Sequence, residues 1–161
     1  MTARISLERT FQASLEDVWD LWTTKDGIES WWGPEGFAVT VRSIDLRPGG
    51  KLNYVMTAVA PEQIAFMKQV GAPLATEATL TYTTVERFRR LGYVTLADFI
   101  PGVEPYEVAT LVELEASGAG VTMRLAFDPM HAEEWTRRAV MGRESELRKL
   151  EALIAQRALR A

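Results

Sequence analysis

The 161-residue chain carries 22 acidic and 18 basic side chains, a net charge of −4, with 47% hydrophobic and 25% charged residues. That balance fits one domain with a substantial core, excludes a disordered chain, and argues against nucleic acid as a main partner, because phosphates call for a basic surface. The absence of Cys removes disulfides, thiol nucleophiles and cysteine metal sites, and the single histidine, His131, excludes a multi-histidine metal centre. No apolar signal core opens the sequence, and no run of about 18 apolar residues occurs, so a cytoplasmic setting without a membrane span is expected.

In chain order, RISLERTF alternates Ile5, Leu7 and Phe11 against Arg4, Ser6 and Glu8, the pattern of a strand. SLEDVWDLW follows as a short amphipathic helix, with Ser14 as N-cap and Asp17 three residues on. TKDGIESWW is predicted as a second short helix ended by Gly33-Pro34. FAVTVRSIDL and KLNYVM form a hairpin about the tight turn RPGG. APEQIAFMKQVGAP is a helix opened by Pro61 and closed by Gly71 and Pro73, with Ile64, Phe66, Met67 and Val70 as its apolar side. ATLTYTTVE with LGYVTLADF, and YEVATLVELE with VTMRLAFD through ASGAG, give two further hairpins. From His131 or Ala132 to about Ala158 the chain is predicted helical, with Gly142 as its one interruption. The connections are too short for crossovers, so the fold class is α+β, a curved antiparallel sheet packed on the last helix in a single domain spanning residues 1–161.

Adjacent residues diverge by about 100° on a helix and about 180° on a strand. Trp31 and Trp32 therefore cannot point the same way: either both pack at the junction of the short helices with the sheet and the last helix, or one locks that junction and the other, Trp32 ahead of Trp31, faces a cavity. The strand faces supply the walls. Val112 and Thr110 alternate with outward residues on one strand, Met123 and Leu125 on the next, and Tyr54, Met56 and Tyr82 fall inward on two others. Such stripes usually mark solid core, but phenol tips, a hydroxyl and flexible thioethers suit a partly hollow interior. Met67 projects from the middle helix, which serves as a lid or as a contact between two copies of the chain. On the last helix, at about 100° per residue from Trp135, Ala139 falls near 40°, Glu146 near 20° and Arg143 near 80°, inside the apolar stripe. Arg143 and Glu146 are three apart and can pair at the stripe's edge. Alternatively, Arg143 enters the cavity and anchors a carboxylate, phenolate or carbonyl group of a ligand.

Four motifs together carry a resemblance: Trp31-Trp32-Gly33-Pro34 with Gly36-Phe37; Asp45-Leu-Arg-Pro-Gly-Gly50; Met123 followed by Phe127-Asp-Pro-Met130; and Gly142 followed by Leu147 and Lys149-Leu150. From Arg9 to Leu153 the chain resembles the START-like (helix-grip) superfamily, in the branch named after the activator of the heat-shock-protein-ninety ATPase. The resemblance implies a sheet wrapped around the long helix, two short helices closing one end, and an elongated cavity between. It also implies members that bind hydrophobic ligands, cyclise polyketides or have no established role. Two features depart from it. A helix surrounds Met67 where many relatives have a loop, and Arg143 follows the glycine where Trp is common.

The expected function is binding of a small, mostly hydrophobic molecule bearing an acidic or carbonyl group, in the cavity, with no cofactor and no metal. A co-chaperone-like interaction role ranks second, since family activators are expected to carry an additional N-terminal domain. A cyclase or hydrolase using a cavity carboxylate ranks third. Glu77, Glu86, Asp98 and Glu107 lie in or near strands, yet no nucleophile–base pair is visible and no catalytic residue is assigned. His131 sits at a helix start, where a capping or surface role is expected.

Overall fold

A computed structural model describes residues 4–98 and 100–160. Strand β1 (Ile5–Phe11) is followed by helices α1 (Leu15–Thr23) and α2 (Lys25–Glu29), then strands β2 (Phe37–Ile44) and β3 (Lys51–Ala58) and helix α3 (Pro61–Gln69). Strands β4 (Ala75–Glu86), β5 (Arg90–Ala97), β6 (Tyr106–Ser117) and β7 (Gly120–Phe127) precede the long helix α4 (Glu133–Arg160). The strands form one seven-stranded sheet in the order β1-β7-β6-β5-β4-β3-β2, antiparallel at every pairing. Phe99, with which the LADF stretch was expected to end, lies outside the described residues, as do the first three and the last.

Local chemistry sets the ends of the elements. Ser14 caps α1 by accepting the Asp17 amide at 3.1 Å, and Thr24 caps α2 by accepting that of Gly27 at 3.0 Å. Helix α2 stops at Glu29, earlier than the sequence pattern suggests. Trp31 and Trp32 lie beyond it, in a turn whose amides both return to the Ile28 carbonyl. Gly33 continues that turn at φ 87°, a left-handed conformation that glycine adopts without a steric penalty. Register shifts between Val41 and Ser43 and between Tyr82 and Thr84 mark bulges, which locally bend and twist a strand.

Helix α3 corrects one expectation. Its apolar residues do not share a face: Ile64 and Met67 are half-buried, whereas Phe66 and Val70 are each 56% exposed. Positions 66 and 70 lie one turn apart on the side away from the sheet. The true core sits at the other end of the molecule, where Trp22, Trp31, Leu91, Val112, Met123 and Leu125 are almost fully enclosed.

Candidate functional site

The sheet is filled at one end and hollow at the other. A cavity opens between the hollow half of the sheet and α4, and together with the outer-face surface that it joins it measures about 1030 Å³. Its inner wall comes from Tyr54 and Met56 on β3, Ala78 and Leu80 on β4, and Tyr93 and Thr95 on β5. Ala139, Gly142, Arg143 and Glu146, one stripe of α4, form the opposite wall, with Trp32 at one end and Met67 of α3 at the margin.

The two adjacent indoles have separate roles in this architecture. Trp31 is 1% exposed and donates its Nε1–H to the Leu21 carbonyl at 2.8 Å, locking the α1–α2 junction. Trp32 borders the cavity, edge-on to Tyr54 with ring centroids 5.6 Å apart and tilted against Tyr93 at 6.1 Å. Its Nε1–H is buried and has no partner among the described residues. The turn bearing it is held down by α4. Lys149 Nζ donates to the carbonyls of Trp32, Gly33 and Phe37 at 3.0–3.2 Å. Two further ties fix Glu35, since Ser145 and Arg148 both donate to its carboxylate.

Arg143 is the polar centre of the cavity. Its Nη1 donates to the Tyr93 hydroxyl at 2.9 Å and its Nη2 to Thr110 Oγ1 at 2.7 Å, while the guanidinium carbon lies 5.1 Å from the Phe127 ring centroid. It does not close an ion pair with Glu146, the edge arrangement considered from sequence; among the described residues Glu146 accepts no hydrogen bond. Burial works against the Arg143 charge, but Tyr93, Glu146 and Tyr54 outweigh it and hold the guanidinium above its ordinary value. Burial raises the Glu146 carboxyl above its ordinary value, with Arg143 and Lys149 offsetting part of the effect. Burial likewise raises the Tyr54 phenol.

Of the candidate residues, Trp32, Tyr54, Met56, Met67, Ala139, Arg143 and Glu146 meet at the cavity. Thr110 stands behind Arg143 as its hydrogen-bond acceptor. Trp31, Tyr82, Val112, Met123 and Leu125 belong instead to the solid half, where Trp22 donates its Nε1–H to Met123 Sδ at 3.2 Å. Trp135 shares the angular phase of the cavity stripe but lies a turn nearer the helix start, beneath the Arg138 guanidinium at 4.8 Å. Tyr93 and Phe127, both central to the placement of Arg143, were not among the candidates. Their inward position on the alternating strands was the available signal. His131 pairs with Tyr106 at the surface, at 2.9 Å. Among the described residues no cluster of three or more His, Cys, Asp or Glu side chains is arranged to hold a metal, and no helix is long and apolar enough to cross a membrane.

A sheet curved over a long C-terminal helix, two short helices after the first strand and a cavity between define a START-like domain of the helix-grip architecture. The chain belongs to the family described as activator of Hsp90 ATPase homolog 1-like protein, whose model matches residues 12–155. Solved structures agree on the fold. The AHSA1 protein from Silicibacter pomeroyi superposes with a TM-score of 0.74 at 23% identity, covering 96% of this chain and 99% of its own. A protein from Arthrobacter aurescens also gives 0.74 at 23% identity, over 96% and 87%. The AHSA1-like protein from Aeromonas hydrophila gives 0.66 at 23% identity, over 93% of each chain. A search of curated proteins returned no match.

Proposed function

We propose that this protein binds a small, mostly apolar molecule in the cavity between sheet and α4, with no cofactor and without turning it over. The observation that carries the reading is the cavity itself, whose wall presents the Trp32 ring and the Arg143 guanidinium. A ligand acceptor, a carbonyl or an acidic group, finds N–H groups of Arg143 not engaged by Tyr93 or Thr110. Apolar surface from Met56, Leu80 and the indole face accommodates the remainder.

Native mass spectrometry of freshly purified protein tests the proposal, together with titration of apolar fluorescent probes. A co-purifying small molecule is expected, displaced by probes that bind more weakly to Trp32→Ala, which removes the ring from the cavity wall. Absence of both a bound molecule and any probe affinity would overturn ligand binding.

A further inference from the structure

The ladder between β4 and β5 ends early. Pairing runs from Glu86↔Arg90 to Leu80↔Thr95 and stops there, although β4 continues to Ala75 and β5 to Ala97. Residues 75–79 of β4 remain bonded to β3 on their other side, and Leu96 and Ala97 remain bonded to β6. The next two pairs of the register, Thr79 with Leu96 and Ala78 with Ala97, are not made. Two strand edges thus face each other across a break inside the sheet.

The cavity is lined on both sides of that break. Side chains alternate across a strand, so a cavity confined to one side of a closed sheet meets every second residue. Thr76, Ala78 and Leu80 share the inner face of Tyr54 and Met56, because they pair with Met56, Tyr54 and Leu52. Glu77, Thr79 and Thr81 share the outer face and pair with Val55, Asn53 and Lys51. Both sets line the same cavity, as do inner Thr95 and Ala97 and outer Val94 and Leu96 on β5. Lining by both faces of two neighbouring strands, at the level where their pairing stops, fits a passage between them. The outer mouth carries the carboxylates of Glu77, Asp98 and Glu107 against one cation, Lys51, and all four side chains are exposed.

We propose that the ligand enters and leaves through this break between β4 and β5, and that its acidic rim admits neutral or cationic molecules in preference to anions. The proposal rests on the ligand-binding reading and narrows it: the group that meets Trp32 and Arg143 arrives uncharged, as a carbonyl, a phenol or a protonated acid. Glu146 inside the cavity acts in the same sense when ionised, adding a further negative charge along the path.

The absence of Cys makes the test direct, because introduced thiols are the only ones. Thr79→Cys with Leu96→Cys places two thiols on the outer mouth, to be bridged by a short bis-maleimide. Stopped-flow mixing follows neutral N-phenylnaphthylamine and anionic anilinonaphthalene sulfonate. Bridging should slow association and dissociation of the neutral probe together, by about tenfold or more, with Kd unchanged. A single Leu96→Cys carrying a bulky maleimide should do the same less completely, and it serves alone if the double variant does not fold. Glu77→Gln with Glu107→Gln should raise anion association several-fold at low salt and leave the neutral probe unaffected, an advantage lost at high salt. Unchanged neutral-probe rates after bridging would overturn the passage while ligand binding stands. Failure of the unmodified protein to bind either probe would overturn both.

Discussion

Gly142 stands inside the 28-residue helix α4, where the helix faces the cavity, and a Cβ built on it meets nothing within 4 Å. Glycine within a helix costs about 0.5–1 kcal/mol relative to alanine, so Gly142→Ala should stabilise the protein by that amount. For a domain of this size the gain corresponds to about 1–4 °C in Tm. Gly142→Leu separates a hollow from a packed interior. In a filled core the added carbons would force side chains off their rotamers at a cost of about 1–3 kcal/mol. Here the leucine enters open space, so its Tm should equal or exceed that of wild type while affinity for a neutral apolar probe falls. Thermal melts by circular dichroism and probe titrations on the three proteins check this. A Gly142→Leu protein melting several degrees below wild type, or binding the probe with undiminished affinity, would refute the assignment of this helix face to the cavity.

Trp31→Ala should cost about 3–5 kcal/mol, the range of large aromatic truncations in a core. Trp32→Ala should cost less, because that ring already borders space, and should weaken probe binding instead; equal losses in chemical denaturation would erase the distinction. Arg143→Leu should destabilise by about 1–3 kcal/mol, since it leaves the buried hydroxyls of Tyr93 and Thr110 without their donor. Glu146 is held above its ordinary 4.5, so the folded state binds its proton more tightly than the unfolded chain. Its contribution is fully present below pH 4.5 and is lost as pH rises through the folded value. Glu146→Gln should therefore lose less stability than wild type between pH 4.5 and neutrality, measured as Tm against pH. On α3, Phe66→Ser and Val70→Ser should leave stability within about 0.5 kcal/mol, whereas Met67→Ala should alter probe affinity.

The sheet was legible because its strands alternate cleanly and its turns carry their own signals, as at Arg47-Pro48-Gly49-Gly50. The α1 cap was legible for the same reason: Ser14 and Asp17 act within one turn. What sequence could not supply was depth along a strand. Tyr82 and Leu80 point the same way from β4 and are equally buried, yet Leu80 borders the cavity and Tyr82, two residues on, does not. Periodicity gives the face of a residue and not its level. The partners of Arg143 were hidden for a related reason. Tyr93 and Thr110 lie 50 and 33 residues before it, and only the registers of β5 and β6 bring them to one side chain. Helix α3 misled because four apolar residues in seven positions suggest one stripe, while residues 66 and 70 turn away from 64 and 67.

The division of the sheet explains how one cavity and one stable core coexist. Trp22, Trp31, Val112 and Leu125 gather the close packing into the half capped by α1 and α2, where enclosed apolar surface stabilises the fold. The other half is held open largely by hydrogen bonds rather than by filling. Ser145, Arg148 and Lys149 secure the indole turn to α4, and Tyr93 and Thr110 hold Arg143 at the wall. Such directional contacts can position groups around space that dispersion alone would close. The price is a pair of buried ionisable groups, Arg143 and Glu146, that offset each other's charge without a direct hydrogen bond. A purely apolar stripe on α4 would pack the sheet more tightly but would present no polar group to a ligand. The same two residues that weaken the helix as a core element thereby give the cavity its chemical character.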